Sequence, residues 1–302
     1  MRAVWSFWTK PFHAHHRRVW LSDLHHLLAW VLSVETARRH YADTALVTDE
    51  PGARLLVDRL GLRFDHVSTE LAELGDADPQ WWVLGKLWAY RAQDDPFLHL
   101  DNDVFLWSPL PDVLTEAPVF AQNPEWFPIA DGSWYRPDIY DKAIRAAKGW
   151  VPDEWSSYLA AGRNRAVCCG FLGGNAVDFL RYYAETAILM IQHPANQAAW
   201  AGFGSTVSDN ILIEQYLLAA CIDYHRTREG SEYHGTHVRY LFRSSREAFT
   251  EVAAARAGYT HLIGAAKNNP VLARRLEERV ACEYPHYFER CAKLERDGET
   301  GA

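Results

Sequence analysis

Long apolar runs are missing from this 302-residue sequence: no stretch approaches the roughly 20 consecutive apolar residues of a membrane-spanning helix. The sequence also lacks internal repeats and low-complexity linkers. Its beginning contains neither an apolar segment of signal-peptide length nor a small-residue cleavage site, which argues against a secretory signal. We therefore expect a cytoplasmic protein without a transmembrane segment, and peripheral attachment to a membrane is left open.

Cysteine is scarce, and its arrangement does not suit disulfide bonds. The five cysteines are an odd number, and Cys168 and Cys169 are adjacent, which is typical of reduced thiols. No CxxC or HExxH spacing is present, so the sequence contains none of the common zinc motifs. The odd number and the adjacency of the cysteines favour the cytoplasm over a secreted, disulfide-rich protein.

Basic residues are outnumbered, with 31 Lys and Arg against 39 Asp and Glu, which gives a formal charge of −8. Nucleic-acid-binding proteins usually present a basic surface, so no nucleic-acid partner is expected. Aromatic residues, in contrast, are abundant at 13%, with 13 Trp among them. Most of these rings should fill the core, although aromatic rings also stack on the apolar faces of sugars.

The hydrophobic pattern of the first hundred residues alternates between strand and helix periods. The predicted elements, in order, are a strand over 3–8, a helix over 21–40, a strand over 44–48, a helix over 53–60, a strand over 62–67, a helix over 80–91 and a strand over 96–100. This order predicts an α/β fold with a mostly parallel, doubly wound sheet covered by helices.

Beyond residue 104 the pattern is less regular, and residues 123–165 are rich in Pro, Trp and Gly. The predicted elements here are strands over 119–122, 167–172 and 258–263 and helices over 138–147, 175–191, 208–220 and 270–282. With no linker between them, the two halves are expected to share one core.

Two carboxylates, Asp101 and Asp103, follow the apolar run at 96–100 directly, with Asn102 between them. Side chains two residues apart on a strand point the same way, and doubly wound folds bind ligands beyond the carboxyl ends of their strands. Both carboxylates could therefore address one hard cation such as Mg²⁺ or Mn²⁺, which readily bridges to phosphate. In isolation, such a DxD is more often a turn with two solvated acids.

A second motif lies near the end of the chain, where residues 261–267 read HLIGAAK. The imidazole of His261 could complete a metal site, Gly264 permits close approach of the backbone to an anion, and Lys267 supplies a positive charge for phosphate. Alone, this HxxGxxK is more often an exposed loop. Together, the HxxGxxK and the DxD predict a site that binds a metal ion and a diphosphate.

The DxD followed by a C-terminal HxxGxxK resembles the pattern of retaining, metal-dependent glycosyltransferases with the GT-A fold, of the glycogenin and bacterial lipopolysaccharide galactosyltransferase kind. The resemblance implies one domain over 1–302 with a Rossmann-like sheet and a mixed C-terminal acceptor half. The nucleotide-binding half would be 1–107, the acceptor and donor-sugar half 108–270, and a helical tail 271–302.

The same resemblance implies the site residues and the cofactor. Asp101, Asp103 and His261 would bind Mn²⁺ or Mg²⁺. Gly264 and Lys267 would contact the diphosphate of the donor, a nucleoside diphosphate sugar and in the first place a UDP-sugar. Asn102 would be a further residue that binds the donor.

Two further segments resemble parts of the blood-group-type transferases. Residues 168–175, CCGFLGGN, resemble their glycine-rich sugar-binding run, which would bring Gly173 and Gly174 close to a sugar; a tight strand-to-helix turn explains the glycines equally well. Asp209 and Asn210 resemble the pair that opens a helix beside the anomeric carbon, although an Asp at a helix start is ordinarily a cap.

Asn210 stands where the blood-group-type enzymes carry a Glu proposed as nucleophile, and an amide is a poor nucleophile. This difference disfavours a covalent double displacement and favours retention by front-face substitution. Asp209 would then hold donor-sugar hydroxyl groups, and the Asn210 carbonyl would stabilise the developing oxocarbenium charge.

The resemblance also implies nucleotide contacts, for each of which a purely structural role is an equal alternative. They are Phe7, Trp8, Thr9 and Lys10 after the first strand, Asp49 after the second strand and Lys86 on the helix before the DxD.

The predicted function is transfer of a sugar from a nucleotide sugar to an unidentified acceptor, which could be a glycan, a lipid, a peptide or a small molecule. A nucleotidyltransferase is the first alternative, but residues 8–12 contain no glycine for the triphosphate loop that such enzymes usually have. A catalytically inactive sugar-binding relative is the second alternative, and the intact DxD and HxxGxxK argue against it.

Overall fold

The computed structural model describes residues 1–14, 19–128, 133–203 and 207–300. Its strands, in chain order, are β1 (Arg2–Phe7), β2 (Thr44–Thr48), β3 (His66–Ser68), β4 (Phe97–Leu100), β5 (Val104–Leu106), β6 (Val119–Trp126), β7 (Arg165–Gly174), β8 (Val238–Tyr240) and β9 (Tyr259–His261). Its α-helices are α1 (Thr9–Ala14), α2 (Asp23–Arg38), α3 (Glu50–Ala53), α4 (Val83–Arg91), α5 (Asp112–Thr115), α6 (Pro137–Ala146), α7 (Asp153–Ala160), α8 (Val177–Gln192), α9 (Gln197–Trp200), α10 (Val207–Ile211), α11 (Leu217–Thr227), α12 (Ser245–Ala248), α13 (Glu251–Ala257), α14 (Pro270–Glu283) and α15 (Pro285–Arg296). Shorter 3₁₀ and π turns connect some of these elements.

The protein has an α/β fold built on a mixed, mostly parallel sheet with flanking helices. The sheet has seven strands in the order β3-β2-β1-β4-β7-β6-β8, and β5 pairs with β9 in a separate antiparallel ribbon. The predicted α/β class and the mostly parallel sheet flanked by helices are therefore confirmed and are compatible with a Rossmann-like fold, whereas the GT-A fold remains a prediction. No helix in the described part of the chain is both long and apolar enough to cross a bilayer.

The chain forms two compact units. The first unit comprises Met1–Gly85, Leu98–Leu110 and Ala254–Ala302, and the second comprises Lys86–Phe97 and Pro111–Ala253.

In the first unit, β1, β2 and β3 are parallel neighbours, with Trp5 opposite Leu46 and Leu46 opposite Val67. Every residue of β2 is buried, as expected for a parallel strand that is covered on both faces. Helix α2 is buried around most of its circumference, because α14 and α15 cover the side that a surface helix would leave in water. The indole Nε1 of Trp5 donates to Ser33 Oγ of α2 at 2.9 Å, which fixes the helix over β1.

In the second unit, β6 pairs antiparallel with β7 and parallel with β8. Helix α11 packs against α7 and β7. The adjacent side chains of Cys168 and Cys169 are buried in β7. Burial raises the pKa of the Cys168 thiol well above its usual range, so this thiol stays protonated and unreactive.

The predicted strand over 62–67 was placed too early. A π-helical turn, Arg54–Arg59, precedes Gly61, which has a positive φ of 80°. The amide of Leu62 then donates back to the Leu56 carbonyl at 2.9 Å, so Leu62 fills the core from a turn rather than from a strand. The strand itself begins at His66.

The predicted helix over 208–220 is interrupted. It begins at Val207, passes through a π-helical turn over Leu212–Tyr216 and continues as α11. Asp209 therefore lies inside the first turn of α10 and does not cap it. Helix α7 was not predicted, whereas α15 lies within the predicted helical tail 271–302. Strand β2 and helix α2 agree closely with the prediction.

Candidate metal centre

The DxD and the HxxGxxK meet in the first unit because β5 and β9 pair. Asp101 follows β4, Asp103 precedes β5, and the antiparallel register places Val104 opposite His261 at the end of β9. The amide of Leu262 donates to the Asp103 carbonyl at 2.9 Å, which ties the two motifs together through the backbone. The Ser33 hydroxyl of α2 donates to the Asp101 carbonyl at 3.2 Å and holds the turn against the core.

Asp101, Asp103 and His261, here called the Asp–His cluster, each offer one ligand atom, and these three atoms lie within 4.8 Å of one another. His261 Nε2 lies 3.5 Å from Asp103 Oδ1. The Asp103 side chain is only 4% exposed, whereas that of Asp101 is 26% exposed. The cluster thus has a buried inner carboxylate and an outer carboxylate that reaches solvent.

Lys267 forms an ion pair with the inner carboxylate: its Nζ lies 2.6 Å from Asp103 Oδ2. The ammonium also lies 5.5 Å from the centre of the Trp20 ring, and the Lys267 carbonyl accepts from the Leu21 amide at 3.3 Å. Burial raises the pKa of the Asp103 carboxyl, but the charges of Lys267 and His261 favour the ionised form more strongly, so the net pKa lies well below its usual range. Asp103 is therefore a carboxylate at neutral pH.

The residues present fit a divalent cation. Asp103 Oδ1 is buried and has no close hydrogen-bond partner among the described residues, since His261 Nε2 lies 3.5 Å away. Such an oxygen is unusual for a carboxylate and is available to a cation. Two carboxylates and one imidazole form a donor set suited to Mn²⁺, and oxygen ligands suit Mg²⁺ as well.

Gly264 begins the 3₁₀ turn Gly264–Asn268, which carries Lys267. Its φ is +54°, a left-handed conformation that favours glycine, and a Cβ built there would meet no atom within 4 Å. This turn therefore has an open face beside its backbone. Asn102 lies half-buried in the turn between β4 and β5.

The residues predicted to contact a nucleotide in the first unit have partners within the protein. Both the amide and the hydroxyl of Thr9 donate to Asp49 Oδ2, at 2.9 and 2.6 Å, while Asp49 Oδ1 accepts from the Gly52 amide at 3.0 Å and caps α3. Phe7 packs edge-on against Trp30 with ring centres 5.5 Å apart. Structural roles explain these three residues, Phe7, Thr9 and Asp49, and nucleotide roles for them remain predictions.

The two remaining residues after β1 also lie in the first unit. Trp8 is buried, and Lys10 donates from Nζ to the Gly75 carbonyl. Their contact with a nucleotide remains a prediction.

Gly173 and Gly174 lie at the end of β7 in the second unit, where close backbone packing requires glycine. A Cβ on Gly173 would collide with the Phe97 carbonyl oxygen, and a Cβ on Gly174 would collide with the Pro118 carbonyl oxygen. The packing of β7 against its neighbours thus accounts for both glycines without a sugar.

Asp209 and Asn210 are both buried in α10 of the second unit. The hydroxyl of Tyr140 donates to Asp209 Oδ1. The structure does not place either residue in the Asp–His cluster, and their roles toward a sugar remain predictions.

The chain matches a family described as a family of unknown function, DUF6734, over residues 1–294. The chain belongs to DUF6734. A comparison with proteins of curated function found no match. The matched region of this DUF6734 member includes the whole Asp–His cluster and Lys267.

The second unit of this DUF6734 member contains a buried charge pair that was not predicted from the sequence. Lys86 Nζ lies 2.6 Å from Glu214 Oε1 and also donates to the Cys169 carbonyl at 3.1 Å. The Tyr90 hydroxyl donates to the same Glu214 oxygen at 3.1 Å, and Glu214 is 0% exposed. The sequence feature that could have predicted this pair is the single acid, Glu214, within the mostly apolar segment 211–218, ILIEQYLL. A lone carboxylate inside a buried helix needs a cation nearby.

Proposed function

We propose that this member of DUF6734 is a metal-dependent glycosyltransferase that uses a nucleoside diphosphate sugar as donor. The observation that carries the proposal is the convergence of Asp101, Asp103 and His261, with Lys267 on the inner carboxylate, from segments far apart in the sequence. The same four residues carry the resemblance to the GT-A transferases.

The Asp–His cluster would hold the divalent cation, which would offset the negative charge that develops on the departing nucleoside diphosphate. Lys267 contributes a mobile ammonium on a side chain that is 22% exposed, so it can reach an anion at the surface of the first unit. The open face of the turn at Gly264 leaves room for phosphate oxygens beside the backbone.

A nucleotidyltransferase would use a similar metal centre, but α1 begins at Thr9, two residues after β1 ends, and the segment contains no glycine-rich triphosphate loop. The reaction product separates the two enzymes, because a nucleotidyltransferase releases pyrophosphate from a nucleoside triphosphate.

A panel of nucleoside diphosphate sugars, measured by thermal unfolding with and without Mn²⁺, tests the proposal. A donor present at 100 times its dissociation constant should stabilise the folded state by about 2.7 kcal/mol, a shift of several degrees, and only when Mn²⁺ is present. The donor that stabilises the protein is then assayed for release of nucleoside diphosphate and for transfer to acceptors.

The control is the same panel with Asp297→Asn, an exposed position outside the cluster. Pyrophosphate release from a nucleoside triphosphate would support the nucleotidyltransferase instead. Stabilisation by sugars without any turnover would support a non-catalytic binding protein. If no nucleotide shifts the transition with Mn²⁺, the proposed function is wrong.

A further inference from the structure

Lys267 occupies a position that conflicts with metal binding. Its ammonium lies 2.6 Å from Asp103 Oδ2, and this carboxylate is the most buried member of the Asp–His cluster. A buried carboxylate without a counter-charge is costly, so without a metal ion the lysine stabilises the ionised Asp103. The same ammonium becomes unfavourable once a divalent cation binds the carboxylate.

We propose that Lys267 is a built-in counter-ion that competes with the metal for Asp103, so that the metal and a diphosphate bind with positive cooperativity. This inference rests on the proposed function. The competition follows from the geometry whichever oxygen the metal takes. A metal on Oδ2 must displace the ammonium, and a metal on the unpartnered Oδ1 must share one carboxylate with it. Two cations within about 5 Å of each other repel strongly in a partly buried site.

An anion relieves this conflict. Lys267 lies on the short turn that begins at Gly264, and its side chain is 22% exposed, so the ammonium can leave Asp103 without unfolding the turn. The Trp20 ring, 5.5 Å from Nζ, offers the ammonium a cation–π contact besides its ion pair with Asp103. A diphosphate gives Lys267 a new partner and frees Asp103 for the metal. Because coupling between two ligands is reciprocal, the metal must strengthen diphosphate binding by the same factor.

The test uses Mn²⁺ alone, with free Mn²⁺ quantified by its electron paramagnetic resonance signal. Lys267→Met keeps the unbranched stem of the side chain and removes its charge, and we expect it to bind Mn²⁺ about tenfold more tightly than the unmodified protein. Lys293→Met, an exposed lysine of α15 in the same unit, is the matched control and should bind Mn²⁺ with unchanged affinity. Circular dichroism checks folding, and Lys267→Gln, which is uncharged but polar at this partly exposed position, replaces Lys267→Met if that variant does not fold.

The second arm repeats the titration with saturating UDP. In the unmodified protein UDP should tighten Mn²⁺ binding, and in Lys267→Met this gain should shrink toward none. Equal or weaker Mn²⁺ binding by Lys267→Met, or an undiminished gain from UDP, overturns the counter-ion inference and leaves the metal centre in place. If neither protein binds Mn²⁺, with or without UDP, the proposed function itself is overturned.

Discussion

Asp103→Asn is expected to lower the affinity for Mn²⁺ by about 100-fold or more and to abolish Mn²⁺-dependent binding of the donor. Asparagine has nearly the same shape but no charge, so the cluster keeps its packing and loses its inner carboxylate. Even outer-shell partners of metal ligands typically contribute 10–100-fold to metal affinity, and a direct ligand should contribute at least as much. The measurement is a Mn²⁺ titration followed by paramagnetic resonance, together with the thermal shift produced by donor and Mn²⁺.

The fold should tolerate this substitution. Lys267 loses its ion pair, but its side chain is 22% exposed and its ammonium can turn toward water. Asp297→Asn, exposed and remote from the cluster in sequence, removes the same charge and should leave Mn²⁺ binding unchanged. Mn²⁺ binding by a folded Asp103→Asn protein at the affinity of the unmodified protein would show that Asp103 is not a metal ligand.

Glu214→Leu is expected to destabilise the protein by about 3–5 kcal/mol, because it leaves the Lys86 ammonium buried without its counter-ion. Glu214 is 0% exposed and accepts from Lys86 and from Tyr90, so the mutation removes both contacts at once. Denaturant unfolding monitored by circular dichroism measures the change, which should appear as a lower midpoint at unchanged slope.

A double-mutant cycle measures the interaction energy between Lys86 and Glu214. Lys86→Met combined with Glu214→Leu removes both charges, and we expect it to regain most of the stability lost in Glu214→Leu, since an apolar pair of similar volume often replaces a buried ion pair without loss. Glu278→Gln is the surface control: Glu278 pairs with Arg274 on an exposed face of α14, and the change should stay below about 1 kcal/mol. A Glu214→Leu protein as stable as this control would refute the importance of the buried pair.

Much of the first unit could be predicted from its sequence because local signals and tertiary packing agree there. β2 and α2 have strong periodicity, and the ends of β4 and β9 carry residues whose chemistry is recognisable before any contact is known. The meeting of Asp103 with His261 could only be inferred from the resemblance, since the pairing of β5 with β9 joins two three-residue strands with almost no signal of their own.

Other features depend on contacts that a linear pattern does not contain. Leu62 has the apolar character of a strand residue, yet it does not lie in a strand. The backbone turn at Gly61 directs the Leu62 side chain into the core. The partner of Glu214 stands on α4, far away in the sequence, and nothing in the neighbourhood of Lys86 predicts a buried carboxylate. Lys267 illustrates the same point: its suitability for phosphate could be predicted, but its ion pair with Asp103 could not.

The most direct test of the metal centre is an anomalous difference map, recorded at the manganese absorption edge, from crystals grown with Mn²⁺ and UDP. Our account predicts one strong peak bonded to a carboxylate oxygen of Asp101, a carboxylate oxygen of Asp103 and Nε2 of His261, with Lys267 directed to the diphosphate. A manganese peak elsewhere, with Lys267 still on Asp103 while UDP is bound, would contradict it.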